Sequence, residues 1–180
     1  MARQRDPEGE SAGPLPANPY NPLCWVVGEP EIGAGSWIGA FTLIDGSGGL
    51  RIGRGVEVSS GAQIVTHSSM RRTVTARRHP DVDRAPVEIG DHCFIGTNAT
   101  VLMGSRIGAH SVVAAGAVVR EFAEFPPYSL IAGNPAVLKK RIDPEQLLDS
   151  PARRPAWCGS NEGDEVGDAS GDGQRGGEPG

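Results

Sequence analysis

The sequence predicts an all-β fold of short strands stacked coil on coil, and three observations predict it. Aliphatic residues recur at every sixth position in three runs: Val26, Ile32, Ile38 and Ile44; then Ile52, Val58 and Ile64; then Ile89, Ile95, Val101, Ile107, Val113 and Val119. The residue four places after most of them is small (Ser36, Thr42, Ala62, Cys93, Ala99, Ser105, Ser111, Ala117), with Val56 the largest. Glycine directly follows many of the aliphatics, at Gly33, Gly39, Gly53, Gly90, Gly96 and Gly108. Self-similarity sustained at one period marks a repeat architecture. Residues i and i+2 of a strand share a face, so each small residue and the aliphatic two places later point inward together. Six residues then make one short strand and one corner. Glycine in that unit suits either a tight turn or a backbone with no room for Cβ.

Two interruptions break the period. The stretch "DGSGGLR" between Ile44 and Ile52 adds two residues and reads as a glycine-rich bulge. Between Ile64 and Ile89 the polar, arginine-rich "VTHSSMRRTVTARRHPDVDRAPVE" carries no hexad, so a long loop is expected over 66–86. Loops of that length in a compact repeat are usually functional. The domain expectation is a flexible segment over 1–20, the repeat domain over 21–142 and a C-terminal extension over 143–180. Within the extension, 151–180 has too little apolar surface to offset the entropy of ordering.

The totals restrict the partners. A formal net charge of −5 gives no summed positive field for nucleic acid or an anionic membrane surface. The first residues lack the apolar core of a signal peptide and no run reaches membrane-spanning length, so a cytoplasmic protein is expected. Three cysteines without a CxxC pair suggest neither a disulfide framework nor a cysteine zinc site. Cys93 falls on a small inward position and is expected to act as a little hydrophobe.

The pattern of aliphatic, glycine, two variable residues, a small residue and one more resembles the hexapeptide-repeat family over residues 24 to 140. That resemblance implies a left-handed parallel β-helix of triangular section, with a long protruding loop and a short C-terminal segment. Within the family, "GSGGLRIGRGVEVSSGAQIVTH", the loop, "VEIGDHCFIGTNATVLMGSRIGAHSVVAAGAVV" and "PPYSLIAGNPAVLKKR" are similar to acyl-CoA-dependent O- and N-acetyltransferases of sugars and amino sugars. The resemblance implies acetyl-CoA as co-substrate, a sugar or amino-sugar acceptor and a homotrimer with sites between subunits. His67 matches the histidine that deprotonates the acceptor, and His79, in a His79-Pro80 pair, is its rival. The Thr97 amide is the implied oxyanion donor. Ala115, Asn134 and Lys140 are implied coenzyme A contacts, with Lys140 suited to the 3′-phosphate. Asp45 is an implied acceptor contact, although an Asp-Gly turn explains it equally well.

The chemistry asks for such residues. A sugar hydroxyl is a poor nucleophile at neutral pH, and a histidine can take its proton as it attacks a thioester. His67 is preferred over His79 because it leaves a strand directly and is held more rigidly. The arginines Arg71, Arg72, Arg77, Arg78 and Arg84 suit either a substrate phosphate or a solvated loop. His92 and His110 fall at outward corners. Zinc-dependent carbonic anhydrases share this repeat but use three histidines, two of them five residues apart; here Thr97 stands five after His92. A non-catalytic scaffold on the same coil is the reading of another class.

Overall fold

A computed structural model describes residues 18–148 of the chain. The flexible stretches expected at the two ends fall outside these residues, except Asn18–Tyr20. There the side chain of Asn18 donates to the carbonyls of Asn21 and Cys24 beside the first coil. Among the described residues, Pro144–Leu148 belong to a separate unit.

The hexads become strands in the expected order. The first coil is β1 (Trp25–Val27), β2 (Glu31–Ile32) and β3 (Trp37–Ile38), and the second is β4 (Leu43–Asp45), β5 (Leu50–Ile52) and β6 (Glu57–Val58). The third opens with β7 (Gln63–Ile64). An insertion follows, made of β8 (His67–Ser68), α1 (Met70–Val74) and β9 (Asp83–Arg84), before the coil resumes with β10 (Val87–Ile89) and β11 (Phe94–Ile95). The fourth is β12 (Thr100–Val101), β13 (Arg106–Ile107) and β14 (Val112–Val113); the fifth is β15 (Val118–Val119), β16 (Glu124–Phe125) and β17 (Ser129–Gly133). Strand β18 (Ala136–Arg141) then turns back antiparallel on β17. In the second unit, α2 spans Pro144–Leu148.

Three sheets form the walls of a left-handed parallel β-helix. Face A stacks β1, β4, β7, β12 and β15; face B stacks β2, β5, β10, β13 and β16; face C stacks β3, β6, β11, β14, β17 and β18. The register puts like on like. On face C, Ile38, Val58, Ile95, Val113 and Ile131 form one inward column. All five are buried. Each such side chain withdrawn from water contributes about 1.5–3 kcal/mol.

The two roles that glycine offered separate cleanly. A Cβ on Gly96 would lie 2.5 Å from the Ala115 nitrogen of the next coil, so this position is small because backbones meet there. The corner itself falls two residues later, where His92, Asn98 and His110 take the left-handed conformation with φ of 54°, 55° and 59°. Outward, the walls differ. Face B carries the ladder Glu31, Arg51, Glu88, Arg106 and Glu124, whereas Trp25 on face A and Trp37 and Phe94 on face C are exposed apolar surface.

Candidate active site

Asp45 ends β4 where the glycine-rich bulge begins, and the bulge folds back over it. Its carboxylate is only 1% exposed. Oδ1 accepts from the Ser47 nitrogen at 2.9 Å, and Oδ2 accepts from the Thr66 nitrogen at 2.9 Å. Thr66, fully buried one coil away, ties the two segments together. Its hydroxyl accepts from the Gly48 nitrogen at 2.8 Å and donates to the Asp45 carbonyl at 3.0 Å. Gly48 must be glycine, since a Cβ there would come within 2.2 Å of the Thr66 carbonyl oxygen.

The next residue is His67, whose Nδ1 lies 2.6 Å from Asp45 Oδ2. Burial pushes the Asp45 carboxyl upward, but hydrogen bonds from Ser47, Thr66 and His67 outweigh it and hold the group well below the usual carboxylate range. Asp45 is therefore an anion that can only accept, so Nδ1 of His67 carries the proton. The Ser47 hydroxyl, 3.5 Å from the same nitrogen, is too distant to compete. Nε2 is left as the acceptor on a side chain 42% exposed.

Asp45 was expected to meet an acceptor; its buried carboxylate lies against Nδ1 of the histidine. His79 belongs to another cluster. Its backbone nitrogen donates to Thr75 Oγ1, and its Nε2, buried without a hydrogen bond, lies 3.7 Å from Asp83 Oδ1. Asp83 is also gripped by Arg71, whose Nε is 3.1 Å from Oδ2. The expected loop is thus a short helix and a two-stranded ladder, in which His67 stands opposite Arg84.

The remaining candidates gather elsewhere. Thr97 and Ala115 occupy successive coils at the corner between faces C and A, joined by the Gly116 nitrogen donating to the Thr97 carbonyl at 2.9 Å. Asn134 follows β17 in the coil above, and Lys140 stands opposite Leu130 in β18. Both Thr97 and Ala115 are exposed, and a Cβ on Gly116 would meet nothing within 4 Å, so the corner is open. Thr97 precedes face A and His67 follows it, on opposite edges of a wall on the order of 15 Å across at strand rise. A single chain brings Asp45 and His67 together but keeps them apart from Thr97, Ala115, Asn134 and Lys140.

Sequence reasoning missed Thr66, and it named Arg84 only as one of five loop arginines. Thr66 sits in the Thr-His pair and falls two after Ile64, an inward spacing that could have flagged it. The rings of His92, His110 and Tyr128 stack at one corner, with centroids 5.2 and 4.8 Å apart. Cys93 is buried, and burial pushes its thiol up to about 11, which leaves it no nucleophile at neutral pH. Among the described residues no group of three or more His, Cys, Asp or Glu side chains is arranged to hold a metal, and no helix is long and apolar enough to cross a membrane.

A family profile described as the hexapeptide repeat of succinyl-transferase matches residues 86–121. Gamma carbonic anhydrase 1 of Arabidopsis thaliana mitochondria is 30% identical over 140 residues, covering 70% of this chain and 49% of that protein. A hexapeptide-repeat acetyltransferase of Vibrio cholerae, solved with acetyl coenzyme A, superposes with TM-score 0.53 at 29% identity, covering 67% of this chain and 61% of that one. A maltose O-acetyltransferase of Clostridium difficile gives TM-score 0.52 at 25% identity, covering 67% and 60%. The chain spans less than two thirds of each of these proteins. The profile match over residues 86–121 and the stacked coils give the chain the hexapeptide-repeat β-helix fold that these solved acetyltransferases carry.

Proposed function

We propose that the chain transfers an acetyl group from acetyl-CoA to a hydroxyl of a sugar or sugar derivative, with His67 as general base. The observation that carries this reading is the 2.6 Å contact between His67 Nδ1 and the buried carboxylate of Asp45. A surface histidine with no chemistry to perform needs no buried anion behind it. Here the anion fixes the tautomer and ring orientation, and it stabilises the imidazolium formed when Nε2 takes the acceptor proton. Asp45 acts through His67 and Thr66 positions Asp45.

Acetyl-CoA supplies an acyl group already activated as a thioester. The open corner formed by Thr97, Ala115 and Gly116 suits an extended ligand, and the Thr97 amide suits the oxyanion of acyl transfer. Asn134 continues the same corner, and Lys140, opposite Leu130 farther back along face C, offers a cation to a phosphate of an extended ligand. As this corner and His67 occupy opposite edges of face A, the full site requires a second copy of the chain. That supports a homotrimer whose exposed apolar walls, carrying Trp25, Trp37 and Phe94, pack between subunits.

Purified protein with acetyl-CoA and a panel of sugars, amino sugars and nucleotide-linked amino sugars tests the proposal by release of free thiol. The expected outcome is thiol release matched by an alkali-labile ester on the acceptor. An alkali-stable amide as the sole product would move the reading to N-acetylation. Absence of both coenzyme A binding and thiol release would leave a non-catalytic scaffold.

A further inference from the structure

Arg84 shares a ladder rung with His67. On the neighbouring rung the Ala85 nitrogen donates to the Thr66 carbonyl at 3.1 Å, so the His67–Arg84 rung is of the non-hydrogen-bonded kind. Side chains on such a rung leave the ladder on one face with Cβ atoms about 5 Å apart. The Arg84 side chain thus leaves the same rung as the imidazole whose Nε2 is the free nitrogen.

Among the described residues Arg51, Arg54, Arg71 and Arg106 each lie within 4.0 Å of a carboxylate, and Arg72, Arg77, Arg78, Arg84, Arg120 and Arg141 do not; of these six, Arg84 alone shares a rung with His67. Arg84 is exposed and reaches only the Val82 carbonyl, at 3.4 Å, with no carboxylate in ion-pair range among the described residues. The nearest acidic neighbour on its own strand, Asp83, is already occupied by Arg71. In a chain of net charge −5 this is a local feature and not part of a general positive field. A planar guanidinium presents a fork that matches two oxygens of a carboxylate or phosphate.

We propose that Arg84 determines acceptor specificity by binding an oxyanion group of the acceptor, so that the nucleophile of an acidic acceptor is delivered to His67. The inference rests on the general-base reading above and adds the chemical class: the acceptor carries a phosphate or carboxylate near the group that is acylated. A neutral sugar leaves the guanidinium in water and loses that orientation.

The test is binding first and kinetics second. Inorganic phosphate and, in a separate arm, acetate are titrated into the full-length protein while the imidazole resonances of His67 are followed by NMR. The arm that saturates identifies which oxyanion the fork prefers. Saturable shifts are expected in the parent protein and in Arg77→Gln, a change of equal charge elsewhere in the loop, with binding weakened at least about 10-fold in Arg84→Gln. No shift at His67 with either anion, or equal binding in Arg84→Gln, overturns the proposal. With an active acceptor pair, such as a sugar phosphate and its neutral parent, Arg84→Gln is expected to raise KM about 10- to 100-fold for the anionic member alone, with kcat little changed. Equal KM values for the two members in the parent protein also overturn it. Anion binding through Arg84 without any acyl transfer would sink the catalytic reading and leave only an anion site at Arg84, so the two failures are distinguishable.

Discussion

The coils and the insertion between Ile64 and Val87 hold themselves together by different means. In a coil the strand donors reach one coil away, as where Gly90, Gly96 and Gly108 donate to Ile107, Val113 and Phe125 at 2.8 Å, and the aliphatic columns are buried. In the insertion the backbone bonds are local turns and one two-rung ladder, α1 has no buried residue, and side chains such as Thr75 and Asp83 supply further ties. Stability therefore resides in the coils, and the insertion adds polar groups at an edge the coils hold rigid. The Asp45–His67 pair sits on the seam, its carboxylate in a coil and its imidazole on the first strand of the insertion.

Substitutions on the two sides should separate turnover from stability. The largest effect is expected at the seam. Asp45→Asn removes the anion that fixes the His67 tautomer, and turnover should drop by as much as about 10⁴-fold, measured by thiol release. Its second signature is in acid unfolding. The folded carboxyl titrates below the unfolded one, so its contribution is complete above the ordinary carboxylate range near pH 4 and is lost as pH falls further. Asp45→Asn should flatten that part of the stability profile, and an unchanged profile would mean the hydrogen bonds carry no linkage.

Next comes the coil alone. Ile95→Ala opens a cavity in a fully buried column and should cost about 2–5 kcal/mol by denaturant unfolding, while kcat of the folded protein stays near its parent value. A fall in kcat as large as that of Asp45→Asn would erase the distinction between the regions. The smallest effect is expected on the outside of face B. Arg51→Gln breaks a 3.2 Å contact with Glu31 between two exposed side chains, and should change stability by less than about 1 kcal/mol and diminish in effect with added salt.

How far the sequence could be read follows the same divide. The columns of faces A, B and C were legible because each hexad contacts the same position of the next coil, so one period encodes the packing. The Glu–Arg ladder of face B was also present, each charge standing one place before an inward aliphatic or Phe125, but the bulge and the insertion hide its alignment. Asp45 was noticed, but its contact with His67 was not legible. Its burial depends on Gly48 meeting Thr66 across a coil, which no local pattern announces. The cross-strand placement of Arg84 depends on a ladder of two residues per strand, too short to leave a period.

The central claim is that His67, held by Asp45, and not His79, held near Asp83, takes the acceptor proton. The most direct measurement is steady-state turnover of His67→Ala and His79→Ala with acetyl-CoA and the best acceptor, alongside melting temperature and coenzyme A affinity. The account predicts a fall of about 10²- to 10⁴-fold for His67→Ala, with melting and coenzyme A binding near parent values, and at most a raised acceptor KM for His79→Ala. Retained turnover in His67→Ala together with its loss in His79→Ala would contradict it.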